Sequence, residues 1–325
     1  MTIRLGFVGA GWIARLHLEA LERLGRTELV GVASRTIEGA AAMTDSWGGT
    51  AFEDLDRMLA TARLDAAYVC VPPHQAPAIG ERLVRHGIPF LTEKPLAADD
   101  SSGPPRLAAA IEQSGLIVAV GYHLRALDIT PGLRARLTEQ PPRLVVARWL
   151  AETPPPAWWS RADQGGGQVV EQATHLYDLA RYLVGEAEVI GAASVPARRS
   201  EASADRSVAE AAAAVLRFDG GAVGSFASAH RLDTASIEIT FASDGLLTTL
   251  RKIPAGGQGD WHVSFDDGHQ VLDLRTERDP YEIQAAAFLD ALDAGDPNLV
   301  LSSYADALKT DRLTRAVVAA TGAPG

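Results

Sequence analysis

Residues 3–14 read IRLGFVGAGWIA, an apolar run followed by two closely spaced glycines. The apolar part predicts a buried strand, and the segment after the glycines predicts a helix. Gly9 permits the tight turn between them, Gly11 lets the backbone approach a pyrophosphate, and Ala14 allows close helix packing. This order predicts a dinucleotide-binding Rossmann unit with the phosphates at the helix N-terminus. The candidate contacts in this loop are Gly9, Ala10, Gly11, Trp12 and Ile13.

Strand-like and helix-like segments continue to alternate through residue 120. Further strands are predicted at 28–33, 66–71, 89–92 and 116–120, and further helices at 78–87 and 105–113. Such alternation predicts a doubly wound, mostly parallel sheet with helices on both faces. Ligands of these sheets bind outside the carboxyl ends of the strands, and Lys94 falls at such an end.

The end of the second predicted strand bears on the choice of nucleotide. A site for NAD usually has an acidic residue there, which bonds the ribose hydroxyls. In this chain Ser34 and Arg35 occupy that end, whereas Glu28 lies at the opposite end. A hydroxyl and a guanidinium suit a 2′-phosphate, which favours NADP. NAD remains open, because an arginine can also stack on adenine.

Residues 165–185 read GGGQVVEQATHLYDLARYLVG and predict a glycine-rich entry followed by one helix that ends at Gly185. Glu171, His175 and Asp178 have the spacing of one helix side, and the other side is apolar. An imidazole between two carboxylates suits a proton acceptor that works near neutral pH. The alternative interpretation is an ordinary solvated helix face. A metal site on the same three residues is disfavoured, because only one histidine is present and Lys94 would repel a cation.

The remaining segments predict a second kind of domain. Apolar runs separated by turn signals indicate strands at 143–150, 211–218, 222–229, 236–242, 246–253, 261–265 and 270–274, and helices at 280–295 and 303–322. We expect one antiparallel sheet whose inner face packs on the helix that starts near residue 167. Its outer face is solvated or paired with another subunit. The expected fold is α/β, with a Rossmann domain at 1–121 and an α+β domain with a large, mainly antiparallel open sheet at 122–325.

Composition limits the partners and the location. The 325 residues are 47% hydrophobic and carry a net charge of −11, which argues against nucleic acids and anionic membranes as partners. The single cysteine, Cys70, excludes a disulfide framework and a cysteine metal site. The sequence has neither a signal-peptide pattern nor a run of about 18 apolar residues. A cytoplasmic protein without a metal is therefore expected.

Five motifs, taken in order, give the chain a family resemblance. They are GAGWIA at 9–14, VCVPP at 69–73, EKP at 93–95, GYHLR at 121–125 and GGGQVVEQATHLYD at 165–178. With these motifs the chain resembles the Gfo/Idh/MocA family of glucose–fructose oxidoreductase and inositol dehydrogenase, over essentially its whole length. The resemblance implies nicotinamide-dependent oxidation or reduction of a secondary alcohol on a sugar, cyclitol or related polyol. It also implies a homodimer or homotetramer.

The resemblance also implies roles for particular residues. Lys94 and His175 are the expected catalytic pair, and Glu171 stands where the family usually has an aspartate. A cis peptide bond is expected before Pro95. Which of the lysine and the histidine transfers the proton stays open. Further candidate cofactor contacts are Val71, Pro72, Pro73, Glu93 and Lys94, and the candidate substrate contacts are Lys94, His123, Arg125, Trp158, Trp159, Glu171 and His175.

Two other functions remain open on the sequence. Some relatives are hydrolases or lyases that oxidise the substrate transiently and return the hydride to it, on the same fold. Such an enzyme retains its nucleotide and shows no net nucleotide turnover. A nucleotide-binding protein without turnover is disfavoured, because it has no need for Lys94, Glu171 and His175 together.

Overall fold

A computed structural model describes residues 2–197, 208–253, 257 and 260–322. The chain forms two compact units, one of residues up to Ala126 with Pro280–Leu308, the other of Leu127–Asp279 with the residues from Lys309 onward. The division into domains at 1–121 and 122–325 stays a prediction. The units differ from it chiefly because residues 280–308 return to the first unit.

The first unit contains a six-stranded parallel sheet in the order β3-β2-β1-β4-β5-β6. This sheet confirms the predicted Rossmann fold. The order reverses between β1 and β4, where doubly wound folds bind their ligands. The sequence analysis did not identify β3, which has only three residues. The strands are β1 (Ile3–Val8), β2 (Thr27–Ala33), β3 (Thr50–Phe52), β4 (Ala66–Val69), β5 (Phe90–Thr92) and β6 (Val118–Val120).

The second unit contains an eight-stranded sheet in the order β14-β13-β12-β11-β7-β10-β9-β8. Neighbouring strands are antiparallel except for β7 and β10, which run parallel. The predicted mainly antiparallel sheet is confirmed. Its strands are β7 (Leu144–Leu150), β8 (Ala187–Val195), β9 (Ala211–Phe218), β10 (Val223–Ala229), β11 (Ser236–Ser243), β12 (Leu246–Lys252), β13 (Trp261–Asp266) and β14 (Val271–Arg275).

The helices follow from local capping and from apolar stripes. Asp54, for example, caps one helix by accepting from the Arg57 backbone N–H at 2.8 Å, and Gly25 ends another in the left-handed region. Over the described ranges the helices are α1 (Trp12–Leu24), α2 (Ile37–Trp47), α3 (Leu55–Thr61), α4 (Ala76–Arg85), α5 (Gly103–Ser114), α6 (Thr130–Glu139), α7 (Ala162–Gly165), α8 (Gly167–Glu171), α9 (Thr174–Val184), α10 (Pro280–Ala294) and α11 (Tyr304–Ala320). Among them, none combines the length and the apolar composition that a membrane crossing requires.

The predicted single helix between the glycine-rich entry and Gly185 is wrong in one respect, because it is divided into α8 and α9. At the division the Ala173 N–H donates to the Gln168 carbonyl, and the His175 N–H donates to the Gln172 carbonyl. These bonds span five and three residues, so the regular four-residue ladder is interrupted. The apolar side packs as predicted, since Tyr177 of α9 stacks on Phe226 of the inner sheet face with ring centroids 4.6 Å apart.

Candidate active site

The loop between β1 and α1 fits the phosphates of a dinucleotide. Gly9 has a φ of 101°, and a Cβ there would overlap the Cys70 carbonyl, so only glycine fits. Gly11 is the N-cap of α1, and a Cβ there would meet no atom of the described residues within 4 Å. This open backbone at a helix N-terminus is suited to a pyrophosphate. Trp12, the first residue of α1, is 60% exposed beside it.

The turn after β2 places the two residues that the sequence analysis associates with the adenosine ribose. Ser34 follows the last strand residue and donates its backbone N–H to the Phe52 carbonyl at 3.1 Å. Arg35 is exposed, and Thr36 caps α2 by accepting from the Gly39 N–H. Arg35 therefore follows the carboxyl end of β2, at the sheet edge where doubly wound folds bind their ligands.

The segment after β4 lies beside the same loop. The Cys70 N–H donates to the Val8 carbonyl at 2.8 Å, and Val71 and Pro72 follow at the sheet edge. Pro73 begins a short 3₁₀ turn. Burial, and then the charge of Glu93, raises the pKa of the Cys70 thiol well above its usual range, so this thiol stays protonated at neutral pH.

The EKP segment follows β5, the next strand of the sheet. The Glu93 N–H donates to the Val69 carbonyl at 2.9 Å, which fixes the segment against β4. The bond between Lys94 and Pro95 is cis, as expected. Lys94 is half-buried at the same carboxyl edge as the glycine loop. A cation at this position can stabilise negative charge that develops on a substrate oxygen.

His123 and Arg125 are both buried in the first unit. The His123 ring stacks on Tyr281 with centroids 5.6 Å apart. Arg125 forms an ion pair with Asp306 at 2.6 Å and donates to the Leu301 carbonyl at 3.3 Å. These contacts tie the segment after β6 to the start of α11. The roles of His123 and Arg125 as substrate contacts stay predictions.

In the second unit, Glu171 is held by a tryptophan. The Trp159 indole N–H donates to the Glu171 carboxylate at 2.7 Å, and Trp159 is fully buried, with its ring edge against His230. The indole therefore holds the Glu171 carboxylate in place, and the role of Trp159 as a substrate contact stays a prediction. Trp158 is half-buried, and its role as a substrate contact stays a prediction.

His175 lies on the first turn of α9 and stacks on Trp149 of β7, with centroids 5.7 Å apart and planes 19° from parallel. The sequence analysis did not identify Trp149 as part of the site. The sequence does carry a signal for it, because alternate residues of β7 face inward, and Trp149 is one of them with Val145 and Ala147. Three buried atoms, Trp149 Nε1, Gln168 Oε1 and Gln172 Oε1, have no hydrogen-bond partner within the described ranges.

Asp178 has a structural partner on α11. Its carboxylate accepts from the Thr310 hydroxyl at 2.9 Å, and Thr310 in turn accepts from Arg181 at 2.7 Å. Asp178 is fully buried, so the solvated helix face considered as an alternative does not describe this side of α9. In the part of the chain that the structure describes, no three His, Cys, Asp or Glu side chains cluster in a way that could hold a metal ion.

Two family models match the chain in succession. The oxidoreductase family with an NAD-binding Rossmann fold matches residues 3–122, and the GFO/IDH/MocA C-terminal domain matches residues 141–245. The chain belongs to the GFO/IDH/MocA family of oxidoreductases. The family resemblance inferred from the five motifs is thereby confirmed.

The candidate catalytic residues are divided between the two compact units. Lys94 lies in the first unit, and Glu171 and His175 lie in the second.

Several relatives of the chain are named for reactions on sugars or cyclitols. The chain is 26% identical to 1,5-anhydro-D-fructose reductase of Ensifer adhaerens, over 91% of this chain and 90% of that protein. It is 24% identical to inositol 2-dehydrogenase of Rhizobium meliloti, over 68% of this chain and 67% of that protein. It spans 61% of the length of an uncharacterized protein of Schizosaccharomyces pombe, to which it is 28% identical.

The fold also matches a solved structure of the family. KijD10, a 3-ketoreductase from Actinomadura kijaniata crystallised with NADP and TDP-benzene, superposes with a TM-score of 0.87. The match covers 98% of each chain at 22% identity, and it establishes the shared fold.

Proposed function

We propose that the protein transfers a hydride between a nicotinamide nucleotide and a secondary alcohol or ketone of a sugar, cyclitol or related polyol. The observation that carries the proposal is the position of Lys94, half-buried at the sheet edge that also carries the glycine loop. In a Rossmann unit this edge receives the nucleotide, so the lysine cation would lie beside the reacting carbon. The names of the family relatives support the substrate class.

The chain's own residues would bind the reacting hydroxyl and remove its proton. When bound, the nicotinamide ring accepts or supplies the hydride. Lys94 would hold the substrate oxygen and stabilise alkoxide charge. His175 would take the hydroxyl proton, with Trp149 stacked on its ring and Glu171, fixed by Trp159, supporting the charged imidazole. The roles of lysine and histidine as proton acceptor can be exchanged.

A substrate panel tests the proposed function. Sugars, sugar nucleotides, cyclitols and simple secondary alcohols are incubated with NAD or NADP, and their ketones with the reduced forms, while absorbance of the reduced nicotinamide is followed. We expect turnover with at least one polyol and none with 2-propanol. Product formation without net nucleotide turnover, together with nucleotide retained through purification, would indicate a transient-oxidation hydrolase or lyase instead.

Within this function we propose that NADP is the preferred nucleotide, with Ser34 and Arg35 beside the 2′-phosphate. Arg35→Ala removes a charged hydrogen bond, so we expect the ratio of kcat/KM for NADP over NAD to fall about 10-fold or more. Arg63→Ala is the matched control, since Arg63 is exposed near the amino end of β4, at the opposite sheet edge. An unchanged ratio in Arg35→Ala would show that this guanidinium does not read the phosphate.

We also propose a homodimer or homotetramer that buries the outer face of the second sheet. On strands β7, β9 and β10 of this face, four large apolar side chains are 41–45% exposed. Cross-strand pairing groups them, since Val223 lies opposite Leu144, and Ser225 lies opposite both Val146 and Val215. Apolar patches of this kind mark protein interfaces. A contiguous patch on one sheet face suits a self-complementary, two-fold contact.

Light scattering at micromolar concentration tests the assembly. We expect a mass of two or four chains of 34.4 kDa and dissociation in Val146→Glu, because a carboxylate is costly in an apolar interface. Gln113→Glu, at an exposed position of α5, is the control and should leave the mass unchanged. A wild-type mass of one chain would count against the proposal.

Two further expectations stay predictions. They are a cytoplasmic location and the absence of nucleic-acid and membrane partners, which is inferred from the net charge of −11.

A further inference from the structure

Helix α1, which begins at the nucleotide loop, carries a buried histidine, His17. Its side-chain partner is Glu93, the residue just before Lys94. His17 lies on α1, five residues after Trp12, and is completely buried. Its Nε2 lies 2.8 Å from a carboxylate oxygen of Glu93, a residue 76 positions away in the sequence. The rings of Tyr68 and Tyr281 pack against the imidazole, with centroids 5.1 and 5.2 Å from it. The pair therefore links α1 directly to the EKP segment.

The residues around the pair leave the Glu93 carboxylate little room to move. Glu93 is only 9% exposed, and a Cβ at Gly121 would lie 2.5 Å from its carboxylate oxygen. Burial raises the pKa of the Tyr68 hydroxyl and of the Cys70 thiol, so both neighbouring groups stay neutral. A buried hydrogen-bonded pair of this kind is weak evidence for a role in stability. Its position suggests a role in function.

The geometry connects this pair to Lys94. The backbone of Glu93 is fixed by its N–H bond to the Val69 carbonyl, and its side chain is fixed by His17. Lys94 directly follows Glu93 in the chain. Anchoring both the backbone and the side chain of Glu93 therefore restricts the position from which the Lys94 side chain starts.

We propose that His17 is a positioning residue for the reaction. By holding Glu93 it fixes Lys94 relative to α1, the helix whose N-terminus receives the nucleotide phosphates. This inference rests on the proposed function, in which Lys94 acts on the substrate oxygen. The expected signature is a loss in kcat with little change in nucleotide KM, because the phosphate contacts of α1 remain intact.

Two amide variants at position 17 form a matched test. Glutamine places its amide nitrogen near the position of Nε2 and can still donate to Glu93, whereas asparagine is one methylene shorter and cannot reach it. We expect His17→Asn to have a kcat about 10-fold or more below that of His17→Gln, as for a lost hydrogen bond to a charged group, with nucleotide KM similar in both. Equal kcat values in the two variants would assign His17 to packing and overturn the proposal.

A second readout does not depend on the substrate. Trace acetylation of the NADP-bound protein, followed by mass spectrometry, reports how firmly each lysine is held. We expect Lys94 to be labelled faster in His17→Asn than in His17→Gln, while the surface residue Lys309 reacts equally in both. Equal labelling of Lys94 would overturn the inference even for a protein whose substrate is still unknown.

The substrate panel and the variant Lys94→Ala separate this inference from the proposed function. If Lys94→Ala keeps normal turnover, Lys94 takes no part in the reaction, and the positioning role of His17 fails with it. Failure of the proposed function is a different result, namely no turnover with any substrate of the panel. If Lys94→Ala loses activity while His17→Asn and His17→Gln are alike, only the positioning role of His17 fails. Thermal melting of each variant confirms that the compared proteins are folded.

Discussion

Replacing His175 with alanine should lower kcat by ~10²–10⁴-fold with the polyol identified in the substrate panel, which is the usual loss for a positioned general base. The imidazole is buried and stacked on Trp149, so its orientation is set before the substrate binds. Alanine removes the proposed proton acceptor and leaves the nucleotide loop untouched, because that loop belongs to the other compact unit. Steady-state kinetics and nucleotide binding by fluorescence measure the two effects separately.

A graded series makes the His175 result interpretable. His269→Ala is the matched control, since this histidine is exposed in the turn between β13 and β14 of the same unit. Glu171→Gln should cost less than His175→Ala, because its amide oxygen still accepts from the Trp159 indole and only the charge is lost. Near-normal turnover in His175→Ala would make this side of α9 a structural face and would remove the histidine from the mechanism.

The sheets and their order of appearance could be predicted because the signals are local. A buried parallel strand is a short apolar run, and the turn at Gly9 is recognisable from the residues within it. The parallel pairing of β7 with β10 is different, because its paired residues are 79 positions apart in the sequence and it has no local signature. Strand β8 was missed because its nine residues alternate only weakly and include a bulge near Gly191.

The sequence predicted which residue types belong to the candidate site. It did not predict most of the contacts that these residues make. The spacing of Glu171, His175 and Asp178 indicated one helix side, and the backbone bonds to the Gln168 carbonyl then interrupted that helix. The side chains that hydrogen-bond to the buried carboxylates are remote from them in the sequence. Thr310 holds Asp178, and His17 holds Glu93. Periodicity assigns such residues to a buried face, but only the tertiary fold decides which polar group they meet there.

Replacing Lys94 with alanine should lower kcat/KM by ~10²–10³-fold, comparable to the loss of one preorganised group that stabilises an oxyanion. The lysine stands at the same carboxyl edge of the sheet as the glycine loop, where its charge would act on the substrate oxygen rather than on the phosphates. Nucleotide affinity should therefore remain close to that of the wild type. Lys309→Ala is the control, because Lys309 pairs with Glu186 at an exposed position, where an ion pair contributes little.

The variant Lys94→Arg then decides between the two possible roles of the lysine. Arginine keeps the positive charge but does not lose its proton in proteins. If Lys94 stabilises alkoxide charge, Lys94→Arg should retain more activity than Lys94→Ala. If Lys94 is itself the proton acceptor, arginine should be as inactive as alanine. Wild-type kcat/KM in Lys94→Ala would exclude both roles, since neither can survive the loss of the amine.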